Sequence, residues 1–185
     1  MIIVSLSGPK QSGKDSVAGF LTEDGWQRIG FADALKAAAL DVNPWISDEL
    51  GVVWRLSYLI EKFGWEYTKE QFLEARQFLQ DLGVAIRDHV NKDAWVQVGL
   101  AQIKSDKVVF TDTRFPNELE ALRIRGALMV QVVRPGTGAG DGHISEHAWR
   151  DFEFDLEITN DGTLEELGDV TKVLAGYAKS WCEGS

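Results

Sequence analysis

The sequence has few of the residues that mark secreted, metal-binding or membrane-spanning proteins. Cys182 is its only cysteine, which excludes an internal disulfide and a multi-cysteine metal site and favours a reducing cytoplasm. No apolar run approaches the roughly 20 residues needed to cross a bilayer. Met1 leads directly into an apolar, strand-like segment, so we expect no signal peptide.

Basic residues are also scarce relative to acidic ones. The chain carries 19 Lys and Arg against 29 Asp and Glu, a formal net charge of −10. Because proteins that bind duplex nucleic acid are normally basic, polymeric nucleic acid is a poor partner. A small anionic ligand remains compatible with this charge, since a local basic pocket can form in an acidic protein. The length of 185 residues predicts one domain, 1–185, with a full core.

A glycine-rich loop near the start carries the strongest functional signal. Residues 8–16 read GPKQSGKDS, and the G-x-x-x-x-G-K spacing predicts a phosphate-binding loop between a buried strand and a helix. Gly8 and Gly13 let the backbone turn tightly and approach an anion. Successive N–H groups and the helix N-terminus then hold phosphate oxygens, and Lys14 can reach the β- and γ-phosphates.

One position of this loop departs from the usual pattern. Asp15 stands where such loops carry Ser or Thr, whose hydroxyl ligates Mg²⁺. Either Asp15 holds the metal, directly or through water, or Ser16 supplies the hydroxyl. The alternative for Asp15 is structural, because a carboxylate in the first turn of a helix is favoured.

Apolar strand patterns alternate with helical patterns along the chain. This alternation predicts an α/β three-layer sandwich with a mostly parallel five-stranded sheet, its strands near residues 2–6, 26–31, 107–112, 127–133 and 155–160. Residues 43–68 mix helical and irregular patterns and are interpreted as an insertion that covers a pocket, without a sheet element. The glycine-rich loop at about 134–147 either closes over a ligand or is a plain surface linker.

A second group of polar residues lies on predicted helices. Arg76, Gln80 and Arg87 fall on the edge of the apolar stripe of a helix over 69–90, within about 60° of one another. They either line a cleft or form a rim whose arginines keep their charged ends in water. On the helix over 32–40, Asp33 occupies the first turn and Lys36 lies one turn later, either near a ligand or as a solvated surface lysine.

Asp112 ends the third predicted strand. Because ligands of doubly wound sheets bind beyond the carboxyl ends of the strands, Asp112 is placed to bind Mg²⁺ directly or through water. The alternative is that Asp112 caps the following helix. Arg114, two residues later, can reach a phosphate.

Five segments together resemble the phage deoxynucleoside monophosphate kinases. They are residues 8–16, with the unusual Asp after the Lys, FADALK at 31–36, LQDLG at 79–83, TDTRFPNE at 111–118 and ITNDGTL at 158–164. The resemblance implies a P-loop kinase fold with a helical acceptor-binding region at about 43–90 and a lid-like loop at about 134–147. It implies transfer of the ATP γ-phosphate to a deoxynucleoside 5′-monophosphate, giving the diphosphate and ADP, in the cytoplasm of a phage host.

The resemblance also implies a role for each candidate residue. The ATP-binding residues would be Gln11, Ser12, Gly13, Lys14, Asp15 and Ser16. The catalytic residues would be Lys14, Asp112 and Arg114, and the Mg²⁺ ligands Asp15, Ser16 and Asp112. The acceptor would be held by Lys10, Asp33, Lys36, Arg76, Gln80, Arg87, Arg114 and Arg134.

Two other functions stay open at this point. One is a P-loop kinase with another small phosphorylated acceptor, such as phosphomevalonate, whose animal kinases have a similar loop. The other is a non-enzymatic switch that binds ATP and hydrolyses it slowly. ATP, the monophosphate and a second copy of the chain are the candidate partners, and the accepted base cannot be read from the sequence.

Overall fold

A computed structural model describes residues 1–137 and 149–184. In this part of the chain the strands are β1 Ile2–Ser7, β2 Gln27–Ile29, β3 Trp45–Ser47, β4 Val53–Arg55, β5 Lys107–Phe110, β6 Leu128–Val133 and β7 Leu156–Thr159. The helices are α1 Lys14–Glu23, α2 Phe31–Val42, α3 Leu56–Gln71, α4 Leu73–His89, α5 Ala94–Ala101, α6 Pro116–Arg123 and α7 Leu164–Gly184. The chain divides into two compact units: residues 1–31 with the described residues from 99 onward, and residues 32–98.

The first unit is built on one five-stranded sheet in the order β2-β5-β1-β6-β7. All four strand pairs are parallel, with Val4 of the central strand opposite Val109 on one side and Leu128 on the other. Helical segments connect β1 to β2, β2 to β5 and β5 to β6, as parallel pairing requires. The predicted α/β fold with a five-stranded parallel sheet is confirmed.

Both faces of this sheet are covered, which explains why β1 is a nearly continuous apolar run. Side chains alternate between the faces of a strand. Val4 and Leu6 therefore pack in a cluster with residues of α1 and α7, whereas Ile3 packs in a second cluster with residues of α6. The two clusters make the helix–sheet–helix layering that the sequence predicts.

The second unit contains a β-hairpin that the sequence analysis missed. Strands β3 and β4 pair antiparallel, with Ile46 opposite Trp54, so the expectation of no sheet element within 43–68 is wrong. The carboxylate of Asp48 accepts hydrogen bonds from the N–H groups of Leu50 and Val52 and thereby stabilises the connecting turn. Each strand has only three residues, too few for a clear period-2 pattern.

The helix predicted over 69–90 is two helices. The chain leaves helical geometry at Phe72, with φ −120° and ψ 91°, between the end of α3 and the start of α4. Within α3, Gly64 has φ 76° and ψ 169°, so this helix is itself kinked. The predicted buried stripe is nevertheless present on α4, where Ala75 and Leu79 pack in the core of the second unit.

Other boundaries differ from the predictions by a few residues. β5 ends at Phe110, so Asp112 lies just beyond the strand and not within it. A capping box begins α7, since Thr163 N–H donates to Glu166 Oε2 at 2.7 Å and Glu166 N–H donates to Thr163 Oγ1 at 3.2 Å. Within the described part of the chain, no helix has the length and apolar character needed to cross a membrane.

Candidate active site

The loop at residues 8–13 has the backbone geometry that its glycines predict. Gly8 has φ +142° and Gly13 has φ +105°, a region that residues with a Cβ atom rarely adopt. A Cβ atom at Gly8 would collide with the carbonyl oxygen of Val132 in β6. Gln11, with φ +64°, is the exposed turn residue between them. The loop therefore lies tightly against the carboxyl end of the sheet and leads directly into α1.

Lys14 is buried within this loop, with 7% of its surface exposed. Its Nζ donates to the carbonyl oxygens of Gly8 at 2.8 Å and Pro9 at 2.6 Å, and lies 3.4 Å from Ser12 Oγ. Burying an ammonium group is costly unless it is paired. These loop oxygens provide the pairing, and the phosphate oxygens of a nucleotide can replace them.

Asn160 also belongs to this site, although the sequence analysis gave it no role there and placed it only at the end of the strand near 155–160 and in the segment ITNDGTL. Its side-chain amide donates to the carbonyl oxygen of Ser12 at 2.8 Å, and the residue is buried. A Cβ atom on Gly13 would collide with this amide. Asn160 and Ser12 are separated by 148 positions, so only the pairing of β7 with β6 brings them together.

Asp112 lies beside the start of the loop. Phe110 is opposite Ser5 in the β1–β5 pair, so extending the register places Asp112 next to Ser7. Asp112 Oδ1 accepts a hydrogen bond of 2.7 Å from the N–H of Phe31, the first residue of α2. Asp112 therefore bonds to the N-terminus of α2.

Three buried hydroxyl groups hold the segment that carries Asp112. Ser5 Oγ donates to Thr113 Oγ1 at 3.0 Å, and Ser7 Oγ donates to the Thr113 carbonyl oxygen at 2.8 Å. All three residues are fully buried. This network links the carboxyl ends of β1 and β5, and a sequence gives no signal for it because the partners lie more than 100 positions apart.

Glu118 fixes the backbone at Arg114. Its Oε2 accepts hydrogen bonds from the N–H groups of Arg114 at 2.9 Å and Phe115 at 3.0 Å, which caps α6. Glu118 is a buried carboxylate with 2% of its surface exposed, and Pro116 occupies the first turn of the helix. The backbone of Arg114 is thus held from the start of α6, and the residue itself is half-buried.

Asp15 and Ser16 lie in the first turn of α1, Asp15 exposed and Ser16 half-buried. Their carboxylate and hydroxyl oxygens, with the carboxylate of Asp112, are donor types that suit Mg²⁺. Among residues 1–137 and 149–184, no three His, Cys, Asp or Glu side chains are grouped to hold a metal. These residues fit Mg²⁺ as an ion held by one or two protein oxygens together with nucleotide phosphates.

The two remaining candidates of the first unit are exposed. Lys10 lies in the phosphate loop, and Arg134 directly follows β6. The carbonyl oxygen of Arg134 accepts hydrogen bonds from the N–H and Oγ1 of Thr137, which close a turn. Of the lid-like loop predicted at about 134–147, positions 138–147 lie outside the described residues.

In the second unit, the candidates lie on two helices that approach each other closely. A Cβ atom on Gly83 of α4 would lie 3.3 Å from Leu35 Cδ2 of α2, so this glycine allows the approach. Lys36 is adjacent to Leu35 and lies 3.9 Å from Asp33.

The polar edge predicted for α4 is present. Arg76, Gln80 and Arg87 are all half-buried on this helix. Arg87 Nη1 is 3.5 Å from the carbonyl oxygen of Gly83, which also accepts a hydrogen bond of 3.2 Å from Trp95 Nε1. The bond from Trp95 joins α4 to the start of α5.

Among the carboxylates of the second unit, Glu74 has a well-defined electrostatic environment. Glu74 Oε2 accepts hydrogen bonds from Ser47 N–H at 2.5 Å and Ser47 Oγ at 2.7 Å. These bonds, chiefly the one from the backbone, lower the pKa of Glu74. Since Glu74 lies in the first turn of α4, the interaction joins the hairpin to that helix.

Comparison with known proteins gives a consistent result. The family model described as deoxynucleotide monophosphate kinase matches residues 59–171. A deoxynucleotide monophosphate kinase of Escherichia phage RB69 is 49% identical over 70 residues, which are 37% of this chain and 29% of the relative. That of Enterobacteria phage T4 is 38% identical over 99 residues, 50% of this chain and 41% of the relative.

A third relative is similar over nearly its whole length. A putative deoxynucleotide monophosphate kinase of Acanthamoeba polyphaga mimivirus is 26% identical over 190 aligned positions, which cover 90% of this chain and 92% of the relative. The matches to the two phage enzymes, in contrast, span less than half the length of either relative.

Proposed function

Because the chain belongs to the deoxynucleotide monophosphate kinase family, we propose that it transfers the γ-phosphate of ATP to a deoxynucleoside 5′-monophosphate. The products are the deoxynucleoside diphosphate and ADP. The observation that carries this proposal is the phosphate loop with its buried Lys14, beside Asp112 at the carboxyl end of the sheet. The loop is independent support, because the family match begins only at residue 59.

Phosphoryl transfer needs positioning and charge neutralisation more than covalent chemistry. In the proposed reaction the loop N–H groups from Gln11 to Ser16 hold the ATP phosphates. Lys14 exchanges its bonds to the Gly8 and Pro9 carbonyls for bonds to the β- and γ-phosphates. Its charge then opposes the negative charge that spreads over the transferring group, an effect that grows in the transition state.

Mg²⁺, when bound, neutralises β- and γ-phosphate charge. Asp15, Ser16 and Asp112 are the residues that we propose to hold it. Asp112 also bonds to Phe31 N–H, which fixes the orientation of its carboxylate. A fixed carboxylate has less conformational freedom to lose when it receives a ligand.

The acceptor requires basic side chains that bind its phosphate. Arginine suits this task because its planar group forms two parallel bonds to a phosphate. In the first unit we assign Lys10, Arg114 and Arg134 to acceptor binding. In the second unit we assign Asp33, Lys36, Arg76, Gln80 and Arg87.

The test is an ADP-release assay with purified protein, ATP and Mg²⁺ across a panel of acceptors. The panel holds the four common deoxynucleoside monophosphates, their ribose counterparts and phosphomevalonate. We expect stimulation by at least one deoxynucleoside monophosphate, with the diphosphate identified as product. Stimulation by phosphomevalonate alone, or slow hydrolysis that no acceptor stimulates, would refute the proposal and support one of the two other functions.

We propose the cytoplasm as the place of action, which is the host cytoplasm if the chain is encoded by a phage, as the relatives from phages RB69 and T4 are. A homodimer is the assembly proposed for the chain. Light scattering at the concentration of the assay tests it, and a monomer mass would refute it.

A further inference from the structure

Asn160 is held at the carboxyl end of the sheet from two sides. It is the first residue after β7, and its N–H donates to the Val133 carbonyl oxygen at 2.7 Å. Its side-chain amide donates to the Ser12 carbonyl oxygen at 2.8 Å. Only 7% of the surface of Asn160 is exposed, so this bond is shielded from water. A hydrogen bond is stronger in such an interior than in contact with water. The residue that follows the last strand of the sheet thus contacts the phosphate loop.

The bond to Ser12 fixes more than one carbonyl group. A trans peptide is planar, and its C=O and N–H point in opposite directions. There is no cis peptide bond in the described residues, so the Ser12–Gly13 peptide is trans. When Asn160 holds the carbonyl oxygen of Ser12, the N–H of Gly13 must point away from Asn160.

Gly13 completes the arrangement. Its φ of +105° is accessible to glycine at little cost, and a Cβ atom here would collide with the Asn160 amide. The glycine therefore serves the backbone turn and also leaves space for the amide. The loop, in turn, depends on a side chain from the far end of the sequence.

We propose that Asn160 is a positioning residue that preorganises the phosphate loop by fixing the orientation of the Ser12–Gly13 peptide. It acts through Ser12 and does not touch the substrate. Without the amide donor, the buried Ser12 carbonyl loses its partner and the peptide is free to rotate. The loop N–H groups must then be reoriented whenever a phosphate binds, which lowers affinity. The proposal rests on the nucleotide-binding role of this loop in the proposed function.

The test uses Asn160→Asp, which keeps the size of the side chain but replaces the donor with an acceptor. Its matched control is Thr171→Val, which removes a buried bond of 2.8 Å from Thr171 Oγ1 to the Leu167 carbonyl oxygen in the same unit. Kd for ATP is measured by calorimetry without acceptor, and Tm is measured for both variants. We expect Tm to fall in both, and Kd for ATP to rise about tenfold or more in Asn160→Asp only, the scale of one buried bond whose acceptor is left unpaired.

A kinetic measurement adds a second criterion. KM for the monophosphate should change much less than Kd for ATP in Asn160→Asp, because the defect is confined to the phosphate loop. Asn160→Ala is measured beside it, because it removes the donor without adding a carboxylate next to the phosphate loop, and the same rise in Kd is expected. A rise in Asn160→Asp but not in Asn160→Ala would indicate charge repulsion and would overturn the proposal. A Kd for ATP within twofold of that of the unmodified protein, or an equal change in Thr171→Val, would overturn the proposal.

The same design separates this inference from the proposed function. ATP binding is measured without an acceptor, so the result does not depend on which acceptor the protein phosphorylates. If the unmodified protein binds ATP but phosphorylates no deoxynucleoside monophosphate, the proposed function fails while the role of Asn160 is still decided by Kd. If turnover is normal and Asn160→Asp binds ATP normally, only the role of Asn160 fails.

Discussion

The two units of the protein hold their polar side chains in different ways. In the first unit, Lys14, Glu118 and Asn160 are buried, and each bonds to backbone atoms of the segment that it organises. In the second unit, Arg76 and Arg87 lie half-buried on the edge of a helix. Aromatic side chains of the second unit are exposed as well, including Trp45 at 56% and Tyr67 at 49%.

Under the proposed function, this difference separates two tasks of phosphoryl transfer. Stabilising a transition state requires charges that are already in place, because reorganisation costs free energy at the moment of reaction. Binding of an acceptor is compatible with side chains that change conformation as the ligand binds. The buried, backbone-bonded groups suit the first task and the half-buried arginines suit the second. Substitution of a buried, backbone-bonded group of the first unit should therefore change ATP binding, the rate or the stability, and substitution of an α4 arginine should change acceptor binding.

The largest effect is expected for Lys14→Ala. The variant should fold and lose a factor on the order of 10² or more in kcat, the scale of removing one electrostatic contact to the transition state. The control is Lys172→Ala, which removes an exposed lysine of α7. Near-normal turnover by a folded Lys14→Ala variant would break the assignment of the buried charges to catalysis.

Substitution of two buried threonines tests whether the buried polar contacts of the first unit contribute to its stability. Thr113→Val leaves Ser5 Oγ without its acceptor and should lower the free energy of unfolding by about 1–3 kcal/mol. Thr111 Oγ1 is buried without a hydrogen-bond partner among the described residues, so Thr111→Val should be neutral or stabilise by up to about 1 kcal/mol. Chemical denaturation of both variants checks the difference, and equal destabilisation would contradict it.

Substitution of the α4 arginines tests whether the second unit binds the acceptor, as we propose. Arg76→Ala or Arg87→Ala should raise KM for the monophosphate by about tenfold, the scale of losing one charge-assisted bond, and should change KM for ATP much less. Gln77→Ala on the exposed side of the same helix is the control. Equal effects on both substrates, or a lower Tm with normal kinetics, would favour the polar-rim interpretation.

Asp15 is an exposed residue of the first unit, and its substitution tests its proposed role in holding Mg²⁺. Asp15→Ser removes the charge and restores the usual residue, and should shift the Mg²⁺ concentration for half-maximal rate about threefold, equivalent to less than 1 kcal/mol. Glu23→Gln, at the other end of α1, is the control. If Asp15 only stabilises the helix N-terminus, by about 0.3–1 kcal/mol, the Mg²⁺ curves at fixed ATP should superimpose.

The smallest effect concerns Glu74 in the second unit. Because its folded-state pKa is lowered, its contribution to stability is fully present above the unfolded-state value, about 4.3, and is lost as pH falls through the folded-state value. The Tm difference between the unmodified protein and Glu74→Gln should therefore shrink from pH 6 toward pH 3. Glu49→Gln, an exposed carboxylate of the hairpin turn, is the control, and a difference that grows on acidification would contradict the expectation.

The sequence predicted those parts of the fold that local pattern determines. The phosphate loop is recognisable because glycine, lysine and spacing together match one backbone geometry. The inner strands β1, β5 and β6 are recognisable because burial on both faces makes them mostly apolar, whereas the edge strands β2 and β7 carry polar residues as well. The hairpin was missed because three-residue strands show no clear period-2 pattern. Asp48 was nevertheless a usable turn signal, since its carboxylate binds the N–H groups two and four positions later.

The site was predictable only for residues that carry their own chemistry. Lys14 and Asp112 could be named from the motif and the strand end, and the structure places both at the same edge of the sheet. Ser7, Thr113 and Asn160 could not, because a serine, threonine or asparagine has no special meaning until distant strands pair. Their contribution depends on contacts between residues more than 100 positions apart.

The central position of β1 in the sheet has a consequence for how the chain matures. Its neighbours begin at residues 107 and 128, and the side chain that bonds to the phosphate loop comes from residue 160. Synthesis proceeds at about 5–20 residues per second, so residues 8–13 exist for several seconds before these partners are made. Long-range parallel pairing also folds slowly. The phosphate loop is thus translated before the partners that complete it, and a nascent chain interrupted before residue 160 would lack part of the proposed nucleotide site.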